Sequence, residues 1–333
     1  MRERLRKRRG QSHKLRNALI GVATVIAVAT VGVGAYAFTL TQTFNEKTKT
    51  IEEVFPDEAS RPPVLEGAAA SAQNILLLGS DTRGAVDEDI DSIRGQRSDT
   101  IMVAHIPANG EKVFVMSIMR DSWVDIPGHG RAKINAALAY GGVPLVVETV
   151  EKLISARIDH VAVIDFEGFK GLTDALGGVD VNNAVAFDSF HMKGHRFSQG
   201  VQHLNGKEAL AFVRERYAFS DGDFQRARNQ QAYIKAVLGK ILSAETLLDP
   251  GKVSALVGSI APYLKVDKGF DSAYIVGLGI ELRALRSEDI SFFTAPTAGT
   301  GTSDNGQSIV NVDWAKLDVL QEAFRADALE TYK

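Results

Sequence analysis

Between Ala18 and Leu40 the chain carries no charged side chain. A helix over this run, at ~1.5 Å per residue, reaches ~34 Å and spans a hydrocarbon core of ~30 Å. The residues before it hold Arg2, Arg4, Arg6, Lys7, Arg8, Arg9, Lys14 and Arg16 against one acid, Glu3. Short flanks rich in Lys and Arg stay on the cytoplasmic side. The expectation is a basic cytoplasmic tail (1–17), a single-pass transmembrane signal anchor (18–40) in the cell membrane, and an extracytoplasmic remainder. A cleaved signal peptide is the alternative, because Ala35-Tyr36-Ala37 has the small-x-small pattern of a cleavage site. The apolar run exceeds the ~7–15 residues of a signal core, which favours a retained anchor.

Export limits the chemistry open to the remainder. The 333 residues include no cysteine, so disulfides, thiol nucleophiles and Cys-ligated metals are excluded and a hydrophobic core must hold the exported part. The tail has eight basic residues and one acidic, a charge of +7, and removing it from the whole-chain −3 leaves about −10 outside. A protein that grips a nucleic-acid backbone shows the opposite balance over its binding domain, so no nucleic-acid partner is expected.

Residues 41–72 are rich in Lys, Glu, Pro and Ala without a strand period, and read as an extracytoplasmic stalk. The domain then runs over 73–333. Apolar bursts at Asn74–Gly79, Thr100–Ile106 and Lys112–Ile118 read as buried strands, with a fourth at His160–Asp165 and a late one at Ile290–Thr294. Helical spacing appears at Ala132–Tyr140, Pro144–Ile154, Gly206–Val213, Gln225–Ala244, Asp249–Ala261, Asp271–Leu285 and Trp314–Ala328. Strands interleaved with helices predict an α/β fold, an α-β-α sandwich around a central mixed sheet.

The densest chemistry lies in Arg214-Glu215-Arg216-Tyr217 and the following Asp223, Arg226, Arg228, Gln230 and Gln231. Arginine presents a rigid, permanently charged fork that suits phosphate oxygens, so this grouping reads as a diphosphate cradle or as a surface ion-pair network with Glu215 and Asp223. On a helix Asp223, Arg226 and Gln230 share a face and Arg228 points away. Arg214 and Arg216 share a face only if the chain is extended there, so the preceding helix should stop near Val213.

Four acids sit at strand ends: Asp81, Asp99, Asp121 and Asp165. Asp81 and Asp99 have hydroxyl neighbours and suit Mg²⁺, which also grips phosphate oxygens. A turn cap at Asp81 and an ion pair of Asp99 with Arg97 are the plainer readings. Lys133-Ile134-Asn135 opens a helix after a glycine-containing loop, which is either a natural anion seat beside Arg97 and Arg120 or a simple cap. His191, His195 and His203 lack carboxylates at ligand spacing and read as loop histidines. Apolar residues Leu138, Val143, Val146, Val147, Val150, Phe166, Phe169 and Leu172 could line a tunnel for a lipid tail, with core packing the default.

The ordered set Leu78-Gly79-Ser80-Asp81, Arg97-Ser98-Asp99-Thr100, Met119-Arg120-Asp121, Lys133-Ile134-Asn135-Ala136, Phe166-Glu167-Gly168-Phe169, Gly177-Gly178-Val179 and Arg214-Glu215-Arg216 through Gln230 resembles the LytR-CpsA-Psr family over nearly the whole exported part. The resemblance implies an extracytoplasmic phosphotransferase. Its donor would be a glycopolymer on a polyprenyl diphosphate carrier, its acceptor a peptidoglycan hydroxyl, commonly the muramic acid C6 hydroxyl, with polyprenyl phosphate released and Mg²⁺ as cofactor. Carried over by position, Asp81 and Asp99 become metal-associated acids. Arg97, Arg120, Lys133, Arg214, Arg216, Arg226 and Gln230 become diphosphate-binding positions, and Asp223 orients the arginines. Asp99, Arg120, Arg214, Arg216 and Asp223 form the expected catalytic set. The stretch between Asp81 and Asp99 is longer than the family pattern, which weakens the assignment of Asp81. Hydrolysis of a lipid-linked pyrophosphate at the same site and non-catalytic regulation from the membrane are the competing functions.

Overall fold

The computed structural model describes residues 35–80, 98–247 and 249–332. The basic tail, the expected anchor up to residue 34, and Asp81 and Arg97 lie outside the described residues. Among the described residues no helix is long and apolar enough to cross a membrane.

Helix α1 (residues 35–47) leads into β1 (Lys49–Thr50), followed by β2 (Gln73–Ser80), β3 (Ser98–Ile106), β4 (Val113–Ile118) and the hairpin β5 (Trp123–Ile126) and β6 (Gly130–Lys133). Next come α2 (Ala136–Ile154), β7 (His160–Ile164), α3 (Phe166–Ala175), β8 (Val179–Asn183), β9 (Phe187–Asp188), β10 (Arg196–Phe197) and β11 (Gly200–Leu204). The remaining elements are α4 (Gly206–Arg214), α5 (Asp223–Ile241), α6 (Ala244–Leu247), α7 (Pro250–Ile260), β12 (Leu264–Val266), α8 (Ser272–Glu281), β13 (Ile290–Thr294), β14 (Thr297–Thr302), β15 (Ser308–Val312) and α9 (Trp314–Arg325).

A seven-stranded mixed sheet in the order β1-β12-β7-β2-β3-β4-β13 forms the centre. Its central strands are apolar throughout because alternate side chains enter two different cores. Leu76, Leu78, Ile101, Val103, Phe114 and Met116 pack with Val146, Val147 and Val150 of α2 and with Leu317, Leu320 and Phe324 of α9. Ile75, Met102, Ile106, Val113 and Val115 face the other way, toward Ile234 and Leu238 of α5 and Leu278 of α8. Helices therefore cover both faces, in the three-layer arrangement that the interleaved pattern predicts.

Two expectations change. Part of the expected stalk is built into the domain: β1 extends the sheet edge by pairing with β12, and Ile51 and Val54 join the core. Arg61 clamps the buried Glu151 carboxylate at 2.7 and 3.0 Å and donates to the Ile158 carbonyl. A buried acid needs such a paired cation. The helix expected from Ala132 starts only at Ala136, because Gly128 and Gly130, at φ 74° and 70°, turn the chain into a hairpin whose second strand ends at Lys133. The split between helical runs before and after residues 141–142 is real, since Gly142 takes φ 67° within α2. Leu138, Val143, Val146, Val147 and Val150 are plain core, at most 3 % exposed, which is the default reading of them.

Candidate anion-binding site

Four chain segments converge on Asp223. It opens α5, where the left-handed turn at Gly222, φ 40°, redirects the chain. One turn later the buried Arg226 places Nη2 2.9 Å from Asp223 Oδ1. Arg216 Nη1 approaches the same oxygen to 3.8 Å from the loop after α4. Arg120 Nε, just past β4, also lies 3.8 Å from it. The β5–β6 hairpin returns the chain so that the Asn135 amide donates to the Arg120 carbonyl. That fold-back sets Lys133 Nζ 3.3 Å from Asp121 Oδ1.

Asp121 was legible only as a strand-end acid, yet it belongs here. Its carboxyl is hydrogen-bonded to that of Asp223, and the two are pushed in opposite directions. Burial raises Asp223, helped by the Asp121 charge and opposed by Arg226 and Arg120. Burial also acts upward on Asp121, but the hydrogen bond from Asp223 and the charges of Arg120 and Lys133 outweigh it and hold Asp121 below the ordinary carboxylate range. The two carboxyls therefore titrate as a coupled pair, Asp223 above and Asp121 below the ordinary carboxylate range.

The other expected residues take different places. Arg214 ends α4, one residue beyond the predicted stop, and stacks its guanidinium 4.5 Å from the centre of the Phe166 ring. Gln230 donates from Nε2 to Thr100 Oγ1 at 3.0 Å and more weakly to the Val213 carbonyl, tying α5 to β3 and α4. Gln231 faces the sheet and binds Ser117 Oγ and the Phe293 carbonyl instead. Arg228 points away to Asp221 and Gln225, as its helical position predicts. Glu215 makes no ion-pair network: it is fully buried and its carboxylate accepts the amides of Phe190, Arg216 and Tyr217. Of the histidines, His203 contacts Asp180 and His191 contacts the Arg214 carbonyl. Among the described residues no cluster of three or more His, Cys, Asp or Glu could hold a metal ion.

The end of β2 and the start of β3, where Thr100 accepts from Gln230, lie together. Ser80 pairs with Ser98 and Gly79 with Thr100, so Asp99 is the extra residue of a bulge at that end of the sheet. Gly79 is required there, since a Cβ would meet Thr100 Cβ at 3.0 Å. Asp81 follows Ser80 directly in the chain. Asp81 itself lies outside the described residues.

Around Asp121 and Asp223, four cations (Arg120, Lys133, Arg216 and Arg226) face two acids. The surplus positive charge is fixed in place by ion pairs before any ligand arrives, which suits a multivalent anion whose charge changes during reaction.

Residues 35–326 match the model of the LytR_cpsA_psr family. The polyisoprenyl-teichoic acid–peptidoglycan teichoic acid transferase TagU of Bacillus mycoides (strain KBAB4) is 35% identical over 260 residues, 76% of this chain and 81% of that protein. TagU of Enterococcus faecalis (strain ATCC 700802 / V583) is 30% identical over 308 residues, 92% of this chain and 95% of that one. Among solved structures, TagV of B. subtilis superposes with a TM-score of 0.66 at 25% identity, covering 77% of this chain and 97% of its own. TagT bound to LIIa-WTA gives 0.64 at 25% identity, covering 83% and 99%. With the family pattern spanning the sheet, the cationic cluster and the closing helix α9, this chain belongs to the LytR-CpsA-Psr family.

Proposed function

We propose that the protein is a phosphotransferase that attaches a glycopolymer from a polyprenyl diphosphate carrier to a peptidoglycan hydroxyl, the muramic acid C6 hydroxyl, and releases polyprenyl phosphate. The observation that carries this reading is the set of guanidiniums arranged on Asp223 at the head of an apolar seam. Phosphoryl transfer asks for charge neutralisation and in-line positioning more than for covalent help. Arg120, Arg216 and Arg226 neutralise the P–O–P unit, with Lys133 and Arg214 beside them. Asp223 keeps three of the arginines aimed, so their reorganisation does not add to the barrier. The acceptor oxygen attacks the sugar-linked phosphorus, the bond from that phosphorus to the bridging oxygen breaks, and the bridging oxygen leaves with polyprenyl phosphate. The acceptor's proton passes to a carboxylate, with Asp99 in that role by position.

Mg²⁺ is the proposed cofactor. Asp81 and Asp99 would hold it, and it would supply charge neutralisation to the phosphate oxygens.

A lipid tail is accommodated on the α5 side of the sheet, not the α2 side. Leu77 and Ala104 stand in the middle of the sheet, on β2 and β3, yet they are only half-buried beneath α5 and α8, as is Phe292 on the edge strand β13. From Gln230 in the head region, Ile234, Leu238 and Leu242 follow at four-residue intervals down α5 and lie over that face. An apolar stripe that begins beside the phosphate cluster fits an isoprenoid attached to the same diphosphate. A membrane-bound donor also gives a reason for the basic tail and uncharged run at the N-terminus: the chain is anchored in the cell membrane with the catalytic domain outside.

The test is incubation of the full chain with labelled lipid-linked polymer and isolated peptidoglycan. Label carried into the insoluble wall fraction is the expected result. Release of soluble polymer without attachment would replace transfer with pyrophosphate hydrolysis.

A further inference from the structure

Next to the cationic cluster stands a pair of aromatic side chains whose exposure the fold actively maintains. Phe190, between β9 and β10, is 62% exposed, and Tyr217, in the loop after α4, is 59% exposed. Their ring centres lie 4.6 Å apart with planes inclined by 47°. One buried carboxylate holds both. Glu215, 0% exposed, accepts the Phe190 amide through Oε2 at 2.7 Å and the Arg216 and Tyr217 amides through Oε1 at 3.1 Å. Ser189 Oγ also donates to Oε2 at 3.3 Å, and Ser189 Oγ in turn accepts the Met192 amide. Burying a charge is costly unless hydrogen bonds satisfy it, so this arrangement rigidifies two loops that carry little core of their own. The rings, by contrast, stay open to solvent.

The ledge is continuous with the phosphate cluster. Arg216 stacks over the Tyr217 ring at 4.6 Å and donates from Nη2 to the Tyr217 hydroxyl at 2.8 Å, while its Nη1 reaches toward Asp223. His191 approaches the Arg214 carbonyl at 3.2 Å and adds a third ring beside Phe190. Exposed aromatic surface beside a polar site marks a place where a ligand with both apolar and polar faces rests. A pyranose ring is such a ligand: its C–H face lies on an aromatic ring and its hydroxyls remain free for polar partners.

Resting on the transferase reading above, we propose that Phe190 and Tyr217 form the seat for a sugar ring of the acceptor glycan strand. The choice of acceptor over donor follows from charge. The donor is already held by its diphosphate on the arginine cluster and by its tail on the α5 seam, whereas the acceptor brings neither group and needs a neutral contact to hold the sugar that presents the attacking hydroxyl. A stacking surface one residue from Arg216 places such a sugar beside the reacting phosphorus.

Two measurements on the full chain in detergent test this. The first is titration with soluble glycan-strand oligosaccharides cut from peptidoglycan, which requires no turnover. Phe190→Ala should weaken binding roughly tenfold and Phe190→Trp should restore it, since one lost aromatic contact corresponds to about that factor. The second is steady-state transfer, in which Phe190→Ala should raise the KM for acceptor by a similar factor and leave the KM for lipid-linked donor unchanged. Tyr217→Phe, which keeps the ring and removes the hydroxyl, should retain acceptor binding. The proposal is overturned if wild-type protein does not bind the oligosaccharides, if Phe190→Ala binds them as wild type does, if Phe190→Trp fails to rescue, or if the donor KM rises instead. Ring-dependent oligosaccharide binding without any transfer would sustain the ledge and count against the transferase reading.

Discussion

Asp223 shows how one carboxylate organises a cationic site. Its Oδ1 lies 2.9 Å from Arg226 and 3.8 Å from both Arg120 and Arg216, on three different chain segments. Asp223→Asn keeps the shape and removes the charge, so kcat for transfer should fall about a hundredfold, the scale of losing one preorganised charged contact in a transition state. An undiminished kcat in the purified variant would show that the arginines are aimed by something else. The Asp121 partner gives a prediction with a sign. Burial and the Asp121 charge raise Asp223, so an activity that needs Asp223 ionised falls as pH drops through that raised value. Asp121→Asn removes the neighbouring negative charge while Arg226 and Arg120 remain. Asp223 then ionises at lower pH, and the acid limb of the kcat/KM profile should move toward acid. Movement toward alkali would break this account of the pair.

At the scale of elements, the direction of Arg214 and Arg216 depends on how α4 is seated. Asn205 and Glu208 close a capping box at its start. Gly206 then touches α3: an added Cβ would lie 2.5 Å from the Lys170 carbonyl oxygen and 2.8 Å from its Cα, both backbone atoms that cannot step aside. Gly206→Ala should therefore destabilise the protein by about 1–3 kcal/mol through overpacking. Asn205→Ala should cost about 1 kcal/mol through loss of the cap. Urea unfolding midpoints measure both, and equal costs would argue that the α3–α4 contact is looser than its geometry. The β5–β6 hairpin belongs to the same scale. Ala132–Tyr140 has helical spacing, but Gly128 and Gly130 turn the chain back through left-handed conformations, and ladder pairing to Trp123 takes Lys133 away from the helix. Local apolar period cannot register that competition, because the strand's partner lies upstream of the window.

Across the whole molecule, the two faces of the sheet differ in how tightly they are covered. Leu76 is fully buried beneath α2 and α9, and Leu76→Ala should cost about 2–5 kcal/mol. Its neighbour Leu77 faces α5 and α8 and is only half-buried, although β2 lies inside the sheet. Leu77→Trp would fill that space. It should leave thermal stability close to wild type and raise the KM for a long-chain polyprenyl donor roughly tenfold, with less effect on a short-chain analogue. A melting temperature that collapses in Leu77→Trp would mean that the seam is closed core.

Unbroken apolar runs made the central strands legible in the sequence, and helical spacing did the same for α5, α7, α8 and α9, because these patterns are properties of short windows. Helical geometry likewise placed Asp223 and Arg226 on one face and turned Arg228 away. The meeting of Arg120 and Arg216 around that acid, the approach of Lys133 to Asp121, the coupled titration of the two acids, and the use of Glu215 as a hidden amide acceptor were decided only by tertiary structure. Each joins residues far apart in the chain through burial, and burial is what changes a surface charge into a positioned one. The same reason left the choice of apolar face open in the sequence: α2 and α5 are both apolar enough to line a tunnel, and only the packing of α9 against α2 leaves the α5 face as the looser one.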